Sequence, residues 1–484
     1  ALDRPGWDQC SLSGSTEVKA LLAFLDIEKR RFLHWASFHL FKGFPFMRED
    51  IVIIGGGLAG TEAAWQAANR GAKVTLYEMR PKEMTKAHKT GDLAELVCSN
   101  SLGSADPLNA PGILKTEMRR LNSLVIRAAE EARVPAGSAL AVDREQFARA
   151  ITQALEGHPN IRIMREEVTE IPQDAVCIIA TGPLTSEKLS KAISELTHER
   201  HLYFFDAISP IIDAESINMD IVYRASRYGK GGADYLNCPL DEAAYNALYD
   251  AMMTAEKVQP KEFEKIAYFE SCIPIEVMAE RGRQTMQFGP LKPVGLEHPK
   301  TGVRPYAVVQ LRTENAHGTC YNMVGFQTKL TYPEQRRVFR LIPGLENAEF
   351  LRLGSLHRNT FINSPQLLRD TLQLKSRGTV FFAGQLVGVE GYTESAAMGG
   401  IAGINAARGL ADQPLVTPPP NSAHGCLIAH IAKSDPAHFQ PMNTNFGLFP
   451  PVPVKTRDKD QKRRLIQQRA VEDFDAWIAQ SGLS

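Results

Sequence analysis

The feature that most constrains the fold of this chain is a short apolar run that ends in a cluster of glycines. Residues 51–54 read Ile-Val-Ile-Ile, residues 55–60 read Gly-Gly-Gly-Leu-Ala-Gly, and an alanine-rich stretch begins at Thr61. A continuous, mostly β-branched apolar run indicates a strand that is buried on both faces of a parallel sheet. The segment therefore predicts a strand, a tight turn and a helix from Thr61 onward, which is how a dinucleotide-binding fold begins.

The glycines fit the pattern G-x-G-x-x-G, and each has a separate role. Gly55 permits the tight turn, Gly57 allows backbone to approach a pyrophosphate, and Gly60 allows the helix to pack closely on the strand. The helix N-terminus would then direct its N–H groups at the phosphates. A second predicted strand, residues 73–77, ends at Glu78, whose carboxylate would meet a ribose hydroxyl. We therefore assign cofactor contacts to Gly55, Gly56, Gly57, Leu58, Ala59, Gly60 and Glu78.

Length and composition set wider limits. The 484 residues favour two domains, and equal numbers of basic and acidic residues, 55 of each, give zero formal net charge. Any nucleic-acid contact must therefore come from a local basic patch. The seven cysteines contain no C-x-x-C pair, which argues against a disulfide framework and a zinc site and favours a reducing cytoplasm. No apolar run reaches the roughly 18 residues of a membrane span, so no membrane attachment is expected.

The first 46 residues precede the first methionine, Met47, which lies four residues before the predicted strand. We expect residues 1–46 to be a non-native or mis-annotated extension, because dinucleotide-binding chains usually begin close to that strand. The region lacks the apolar core and the small-residue cleavage site of a secretory signal. A genuine short helical extension over about residues 17–40 is the alternative.

Cys98 lies where an apolar, helix-like pattern over residues 93–97 gives way to Ser, Asn and Gly. The position predicts a turn that faces the cofactor, where a thiolate stabilised by its neighbours could act as nucleophile or base. Packing is the alternative role for a single cysteine. Further along, apolar spacing predicts an amphipathic helix over 114–134, a helix over 143–155, and strands at 161–164 and 176–182.

From about residue 201 the sequence becomes mixed aromatic and polar, without clear alternation of strands and helices. We interpret residues 201–330 as an inserted α+β domain between two parts of the nucleotide-binding domain, 47–200 and 331–440. Within the insertion, Cys272 precedes Pro274, which holds the chain extended. A buried structural cysteine is the alternative to a catalytic one.

A second strand-turn-helix unit follows the insertion. An apolar run at 379–383 leads into Gly384 and Gln385, then into a glycine-rich loop and a small-residue helix over 396–408. A helix that begins at such a loop directs its positive dipole end at the ligand in front of it. Two separated units favour FAD, with Gly384 and Gln385 among its contacts, over a lone NAD site; a plain α/β sheet is the alternative. The predicted fold class is α/β, with an FAD-binding Rossmann-type domain of the glutathione-reductase kind.

Residues 441–484 form a C-terminal tail with a basic run. Between residues 455 and 469, seven lysines and arginines stand against two aspartates. Such a run is a candidate contact for RNA phosphates, and its hallmark would be salt-sensitive binding. A solvated helix face is the alternative.

Six segments, in order, resemble the bacterial folate- and FAD-dependent tRNA (uracil-5-)-methyltransferases, the TrmFO family of GidA-related flavoproteins. They are residues 55–60, 94–102, 234–239, 272–282, 324–328 and 357–360. The resemblance extends from Met47 to about residue 480 and leaves residues 1–46 without a counterpart, which supports their interpretation as an extension.

The resemblance implies 5-methylation of the T-loop uridine (position 54) of tRNA. It implies that 5,10-methylenetetrahydrofolate supplies the carbon, that NADH or NADPH supplies electrons, and that FAD carries and reduces the carbon unit. Uracil C5 becomes nucleophilic once a thiolate adds to C6, and the family's two functional cysteines correspond to Cys98 and Cys272. By this reading Cys272 adds to C6, while Cys98 is a general base or protects the flavin adduct; the reverse division of roles is the alternative. No obligate protein partner is implied.

Two other functions are compatible with the same sequence. One is the related flavoprotein that modifies the wobble uridine of tRNA within a two-protein complex, although that protein is longer and carries a large helical C-terminal domain. The other is an NAD(P)H–flavin oxidoreductase that does not act on RNA. For the methyltransferase, the target uridine would have to leave its stack in the T-loop, and basic and aromatic residues of the insertion and tail are candidates for holding the RNA.

Overall fold

The computed structural model of this chain describes residues 50–85, 87–198, 202–207, 209–258, 273–315, 317–354, 356–437, 439–453 and 458–483, with the backbone alone at 202–207 and 356–359. Residues 1–46, Met47 and Cys272 lie outside the described residues, so the predictions about them remain predictions.

The described strands and helices are numbered in chain order. The strands are β1 (Asp50–Ile54), β2 (Lys73–Tyr77), β3 (Ser101–Ser104), β4 (Arg133–Val134), β5 (Ala139–Val142), β6 (Ile161–Met164), β7 (Val176–Ile179), β8 (Leu202–Ala207), β9 (Ile211–Asp213), β10 (Tyr223–Ala225), β11 (Tyr235–Leu240), β12 (Ala307–Thr313), β13 (Cys320–Met323), β14 (Phe350–Arg352), β15 (Leu356–Phe361) and β16 (Val380–Phe382). The helices are α1 (Leu58–Ala68), α2 (Ala110–Arg120), α3 (Leu124–Glu131), α4 (Arg144–Glu156), α5 (Glu187–Thr197), α6 (Glu242–Thr254), α7 (Ile275–Glu280), α8 (Thr285–Phe288), α9 (Tyr332–Phe339), α10 (Ser364–Leu367), α11 (Tyr392–Leu410), α12 (Ala423–Lys433) and α13 (Lys459–Ser481).

A parallel sheet in the order β16-β7-β1-β2-β6 forms the centre of the nucleotide-binding part. In its central strand, β1, Ile51 and Ile53 on one face are fully buried, and on the other face Ile54 is buried and Val52 is half-buried, in keeping with its apolar run. Strand β16, from the second predicted unit, pairs with β7 and so joins the second unit to the first in one sheet. The predicted α/β class with a Rossmann-type domain is confirmed.

Helix α11 packs directly on α1 because small residues line their contact. A Cβ atom added at Gly399 would lie 2.1 Å from the carbonyl oxygen of Ala59, and one added at Gly403 would lie 2.3 Å from that of Ala63. Any side chain at either glycine would push the helices apart. The small-residue sequence of α11 therefore fixes how closely the second unit approaches the first.

One predicted helix is wrong in its extent. The apolar pattern over residues 114–134 corresponds to two helices, α2 and α3, separated at Asn122, which has a left-handed φ of 54°. Ser123 then caps α3, and its side chain accepts a hydrogen bond from the N–H of Ile126. The apolar residues of both helices lie in the same core, so the apolar spacing continues across the break and periodicity alone did not reveal it.

The helix-like pattern before Cys98 is also wrong. Residues 93–97 form a turn followed by extended chain. The N–H of Leu93 donates to the Thr152 hydroxyl (2.9 Å), and the N–H of Ala94 donates to the carbonyl of Gly56 (2.9 Å). These contacts with α4 and the glycine turn replace the internal hydrogen bonds that a helix would need. Ala94 has a φ of 53°, which further excludes a right-handed helix.

The second large sheet is antiparallel, in the order β10-β11-β12-β13-β9-β14. Its strands lie between residues 211 and 352, and a separate antiparallel pair, β8 with β15, lies beside them in the chain. Helix α6 covers its core with fully buried Tyr245, Leu248 and Met252, and begins at the Asp241 cap. The mixture of short antiparallel strands and helices explains why residues 201–330 show no regular strand-helix alternation.

The C-terminal helix α13 packs on α2 through Ile466, Ala470 and Phe474, which are buried. Asp458 caps it, with its carboxylate accepting from two backbone N–H groups. In the part of the chain that the structure describes, no helix combines the length and the apolar character needed to cross a membrane.

Candidate active site

The glycine turn after β1 takes the form that its sequence predicts, except that α1 begins at Leu58, three residues before Thr61. Gly55 has a φ of 107°, and a Cβ there would lie 2.6 Å from the carbonyl oxygen of Ala180. A Cβ at Gly60 would lie 1.8 Å from the carbonyl oxygen of Gly55, so only glycine permits this close approach. Around Gly57, by contrast, a Cβ would meet no described atom within 4 Å.

A cavity that is partly open to solvent lies in front of this turn. Of the nine predicted cofactor contacts, the seven that line it are Gly55, Gly57, Leu58, Ala59, Glu78, Gly384 and Gln385. Gly56 and Gly60 are absent from the lining: Gly56 contacts Glu78, and Gly60 packs on Gly55. The structure thus brings together residues from both predicted units, while their contact with a cofactor stays a prediction.

The Glu78 carboxylate lines the cavity but is already partly satisfied by the protein. Its Oε2 accepts the N–H of Gly56 (2.9 Å), and its Oε1 accepts the N–H and Nε–H of Arg80 (3.0 and 2.9 Å). Burial favours a higher pKa for Glu78, but the hydrogen bonds and charge of Arg80, with the Gly56 bond, lower the pKa overall. The group therefore stays ionised, and since a carboxylate has about four acceptor positions, one remains for a ribose hydroxyl.

Arg80 is a site residue that the sequence analysis missed. Its side chain is almost fully buried and joins Glu78 to Glu95, whose Oε2 it reaches at 3.0 Å. Glu95 also accepts hydrogen bonds from the N–H groups of Lys89 and Thr90. The arginine thereby ties the loop before Cys98 to the end of β2. Its only sequence signal is its position two residues after the predicted ribose carboxylate.

His88 lies on the same loop and lines the cavity. Its Nδ1 is 2.7 Å from the Thr85 hydroxyl. Burial, followed by the positive charge of Arg80, lowers the pKa of His88 to about 4. The imidazole is therefore neutral near pH 7 and adds no positive charge to the cavity wall.

Cys98 lies beside the cavity and contacts Tyr392, the first residue of α11. The Tyr392 hydroxyl oxygen accepts the N–H of Cys98 (2.8 Å) and the N–H of Ser99 (3.2 Å), and lies 2.9 Å from the Cys98 Sγ. Two accepted bonds occupy both lone pairs of a phenol, so its own hydrogen points at the sulfur. Burial raises the pKa of Tyr392 well above 10, so the hydroxyl keeps this proton. Tyr392 also lines the cavity and so connects the thiol to it.

Three arginines interact electrostatically with Cys98: Arg144, Arg312 and Arg352. Arg144 begins α4 and donates to the carbonyl of Leu96 (2.6 Å), while its Nε pairs with Glu314 (2.6 Å). Positive charges and a hydroxyl donor are groups that stabilise a thiolate. Formation of a thiolate at Cys98 stays a prediction.

Arg312 holds the segment around Cys98 in place. Its Nε donates to the Asn100 side-chain oxygen (2.9 Å) and its Nη2 donates to the Ser99 hydroxyl (2.8 Å). The Asn100 side chain in turn donates to the carbonyls of Val142 and Thr313. Sequence reasoning missed Arg144, Arg312 and Arg352 because each lies more than 40 residues from Cys98 in the chain.

Other cysteines show the contrasting environment. Cys177 on β7 and Cys238 on β11 are fully buried in the cores of the two sheets. Burial raises the pKa of Cys177 to about 12 and raises the pKa of Cys238 further. Both remain neutral thiols and serve as packing residues.

Cys272 lies outside the described residues. The segment that follows it packs on residues 327–329. Helix α7 begins at Ile275, whose N–H donates to the carbonyl of Gln327 (2.7 Å). The buried carboxylate of Glu276 accepts from the Thr328 hydroxyl (3.0 Å) and the N–H of Lys329 (2.6 Å). Two segments that resemble the family, 272–282 and 324–328, therefore pack on each other. The catalytic role of Cys272 stays a prediction.

The basic tail forms the first turns of α13. Lys462, Arg463 and Arg464 are exposed there, whereas the guanidinium of Arg469 donates to the carbonyls of Pro450 and Pro451. Lys455 and Arg457 lie outside the described residues. Arg469 is thus a structural residue, and an RNA contact by the others stays a prediction.

The chain is similar to proteins of known name. A family model described as "Glucose inhibited division protein A" matches residues 50–414. The methylenetetrahydrofolate–tRNA-(uracil-5-)-methyltransferase TrmFO of Geobacter sulfurreducens is 58% identical over 434 residues, which cover 90% of this chain and 100% of that relative. The protein of the same name from Aquifex aeolicus is 56% identical over 437 residues, covering 90% of this chain and 98% of its own.

A crystal structure of Aquifex aeolicus GidA has the same fold. It superimposes with a TM-score of 0.64 at 18% identity and covers 91% of this chain and 75% of the GidA chain. At this identity the likeness supports the fold alone. The sequence identities and the extent of the match lead to one conclusion: the chain belongs to the TrmFO family, within the wider group that the GidA model describes.

Proposed function

We propose that this protein catalyses the folate-dependent 5-methylation of the T-loop uridine of tRNA. The observation that carries the proposal is the 58% identity, over 90% of this chain, to a relative named methylenetetrahydrofolate–tRNA-(uracil-5-)-methyltransferase. In the balanced reaction, methylenetetrahydrofolate gives up its one-carbon unit, NADH or NADPH gives a hydride, solvent gives a proton, and uracil C5 exchanges its hydrogen for a methyl group. Tetrahydrofolate and the oxidised nicotinamide are the other products.

The cavity at the glycine turn fits FAD. Its wall combines the turn after β1, the N-terminus of α1 and the ionised Glu78, which suit a pyrophosphate and a ribose. Gly384, from the second unit, completes the wall next to Ala59, so a ligand in the cavity would touch both units. When bound, the flavin would supply the transfer and reduction of the one-carbon unit.

The chain's own residues then account for the sulfur chemistry. A thiolate is needed to add to uracil C6, because C5 is a poor nucleophile until that bond forms. We assign this addition to Cys272. Cys98, with three guanidinium groups and the Tyr392 hydroxyl around it, is suited to act as a base at C5 or to protect the flavin adduct.

Transfer of label from folate to RNA tests this proposal. The purified protein is incubated with a T-loop RNA, NADH and methylenetetrahydrofolate that carries isotope in its methylene carbon. We expect label at C5 of the T-loop uridine, and none in an RNA with cytidine at that position. NADH oxidation without labelled RNA would contradict the proposal and support an oxidoreductase that does not act on RNA.

Cysteine variants test the division of roles. Cys272→Ala should abolish labelling and leave the yellow flavin bound, since the residue acts on the RNA. Cys320→Ala is the matched control, because Cys320 is half-buried on β13 and has no role in the proposed chemistry. Full activity of Cys272→Ala would overturn its assignment as nucleophile.

A further inference from the structure

One surface of the antiparallel-sheet region carries a marked excess of positive charge. Residues 223–234 contain three basic residues and one acidic residue, Asp234, and residues 292–304 contain three basic residues and one acidic residue, Glu297. We call these two segments the basic surface. The whole chain has zero formal net charge, so this excess is local. Lys230, Lys300 and Arg304 are exposed on it.

The two segments are joined through Tyr228 and Arg227. The N–H of Tyr228 donates to the carbonyl of Gly295 (2.9 Å), and Nη1 of Arg227 donates to the carbonyl of Val294 (2.6 Å). A Cβ at Gly295 would lie 2.6 Å from the Tyr228 ring, so the ring packs against the backbone there. Gly295 has a φ of 80°, which together with this contact favours glycine.

Tyr228 is both strained and exposed. Its φ is 58° and its ψ is 24°, a left-handed conformation that costs a non-glycine residue on the order of 1 kcal/mol. Its side chain is nevertheless 61% exposed. A strained backbone that presents an aromatic ring to solvent, with one side supported by Gly295, is suited to hold the ring ready for a ligand. An unpaired nucleic-acid base stacks on such a ring.

The basic surface is connected to the neighbourhood of Cys98 by β12. Nη2 of Arg227 donates to Oε1 of Gln310 (3.2 Å). Arg312, two residues further along the same strand, donates to the side chains of Ser99 and Asn100. Residues two apart on a strand face the same side and lie roughly 7 Å apart. The two sites therefore share one face of the antiparallel sheet.

We propose that the basic surface docks the RNA substrate, with Tyr228 stacking on an unpaired base and with Lys230, Lys300 and Arg304 contacting phosphates. This inference rests on the proposed function and identifies where the RNA would lie. Loop RNA is the occupant that the chemistry favours, because proteins recognise it by stacking splayed bases on aromatic side chains and by neutralising its backbone. The short path along β12 would bring such a loop next to the cavity.

Binding of an unmodified tRNA transcript to the full-length, flavin-loaded protein tests the stacking role. Tyr228→Ala should weaken binding about ten-fold or more, as expected for the loss of one base–aromatic stack, whereas Tyr228→Phe should bind almost as tightly as the unaltered protein. Tyr332→Ala is the matched control, since Tyr332 is 54% exposed on α9 beside Glu334 and should bind tRNA normally.

A second variant separates the loss of base stacking from a loss of folding stability. Tyr228→Gly fits the left-handed backbone without strain, so it should melt at or above the normal temperature and still lose tRNA affinity. Normal tRNA affinity in Tyr228→Gly would overturn the stacking role. If the unaltered protein binds tRNA but fails to methylate it, the proposed function fails instead.

Salt dependence tests the phosphate contacts. The double variant Lys230→Ala with Lys300→Ala should lower the slope of log affinity against log salt by about one to two. A variant with four alanine substitutions on α13, at Lys459, Lys462, Arg463 and Arg464, tests the alternative that the tail binds the RNA. If those alone remove the salt dependence and the double variant keeps its full slope, the tail carries the RNA and the proposal for the basic surface is wrong.

Discussion

The two large sheets contribute to the candidate site in opposite ways. The parallel sheet presents backbone, through the glycine turn after β1 and the N-terminus of α1, together with the ion pair of Glu78 and Arg80 after β2. The antiparallel sheet presents charged side chains, with Arg312 at the end of β12 and Arg352 at the end of β14. The difference teaches that close steric fit is decisive at the glycine turn, where an added methyl group would clash, whereas the surroundings of Cys98 depend on charge and hydrogen bonds.

The sharpest test of steric fit at the glycine turn compares two of its glycines. Gly60→Ala would place a Cβ 1.8 Å from the Gly55 carbonyl oxygen, so we expect a loss of about 3 kcal/mol or more of folding stability and loss of bound flavin. Gly57→Ala meets open space, so it should melt normally but retain less flavin if phosphate approaches there. Melting temperature and flavin absorbance measure both. A Gly60→Ala protein with normal values would contradict this comparison.

A variant of Tyr392 tests the contact between helix α11 and the segment around Cys98. Tyr392→Phe removes the acceptor for the N–H groups of Cys98 and Ser99 and the donor to the Cys98 sulfur. Loss of this acceptor for two partly buried N–H groups should cost about 1 to 3 kcal/mol in the free energy of unfolding, measured by urea denaturation. Cys98 should also react more slowly with iodoacetamide. Unchanged stability and reactivity together would show that the hydroxyl has neither role.

A variant of Arg312 tests the effect of positive charge on Cys98. Arg312→Gln removes a positive charge and the bonds to Ser99 and Asn100, so the thiolate fraction of Cys98 should fall. A rise of one unit in the pKa of the thiol would slow alkylation near pH 7 about ten-fold, which mass spectrometry of the peptide can follow. Arg336→Gln, at an exposed arginine of α9, serves as control and should leave the rate unchanged.

His88 gives the smallest effect, and its sign follows from its lowered pKa. The folded-state pKa of about 4 lies below the ordinary histidine value of 6.5, so the unfolded chain binds the proton first as the pH falls. The contribution of His88 to stability is therefore complete above about pH 6.5 and declines from there towards pH 4. Between pH 7 and pH 6 the loss should be about 0.5 to 1 kcal/mol. Thermal melts should show that His88→Gln has a weaker dependence on pH, and an identical dependence would refute the assignment.

The parallel-sheet part of the site was predictable because its signals are local. Strand β2 was predicted at residues 73–77 and is found at Lys73–Tyr77, and the glycine turn and Gly384 line one cavity. Strand period, glycine spacing and a following helix are all set by neighbours in the sequence. The same local reasoning failed at Asn122, where the apolar spacing continues across two helices that share one core.

The sequence by itself determined the nucleotide-type opening, the α/β class and, through motif order, the TrmFO resemblance. Only the tertiary structure decided what surrounds Cys98. Arg144, Arg312 and Tyr392 come from three distant parts of the chain, and their hydrogen bonds and charges act through space. No periodicity or spacing records such contacts, because they form only when the two sheets are folded around the same segment.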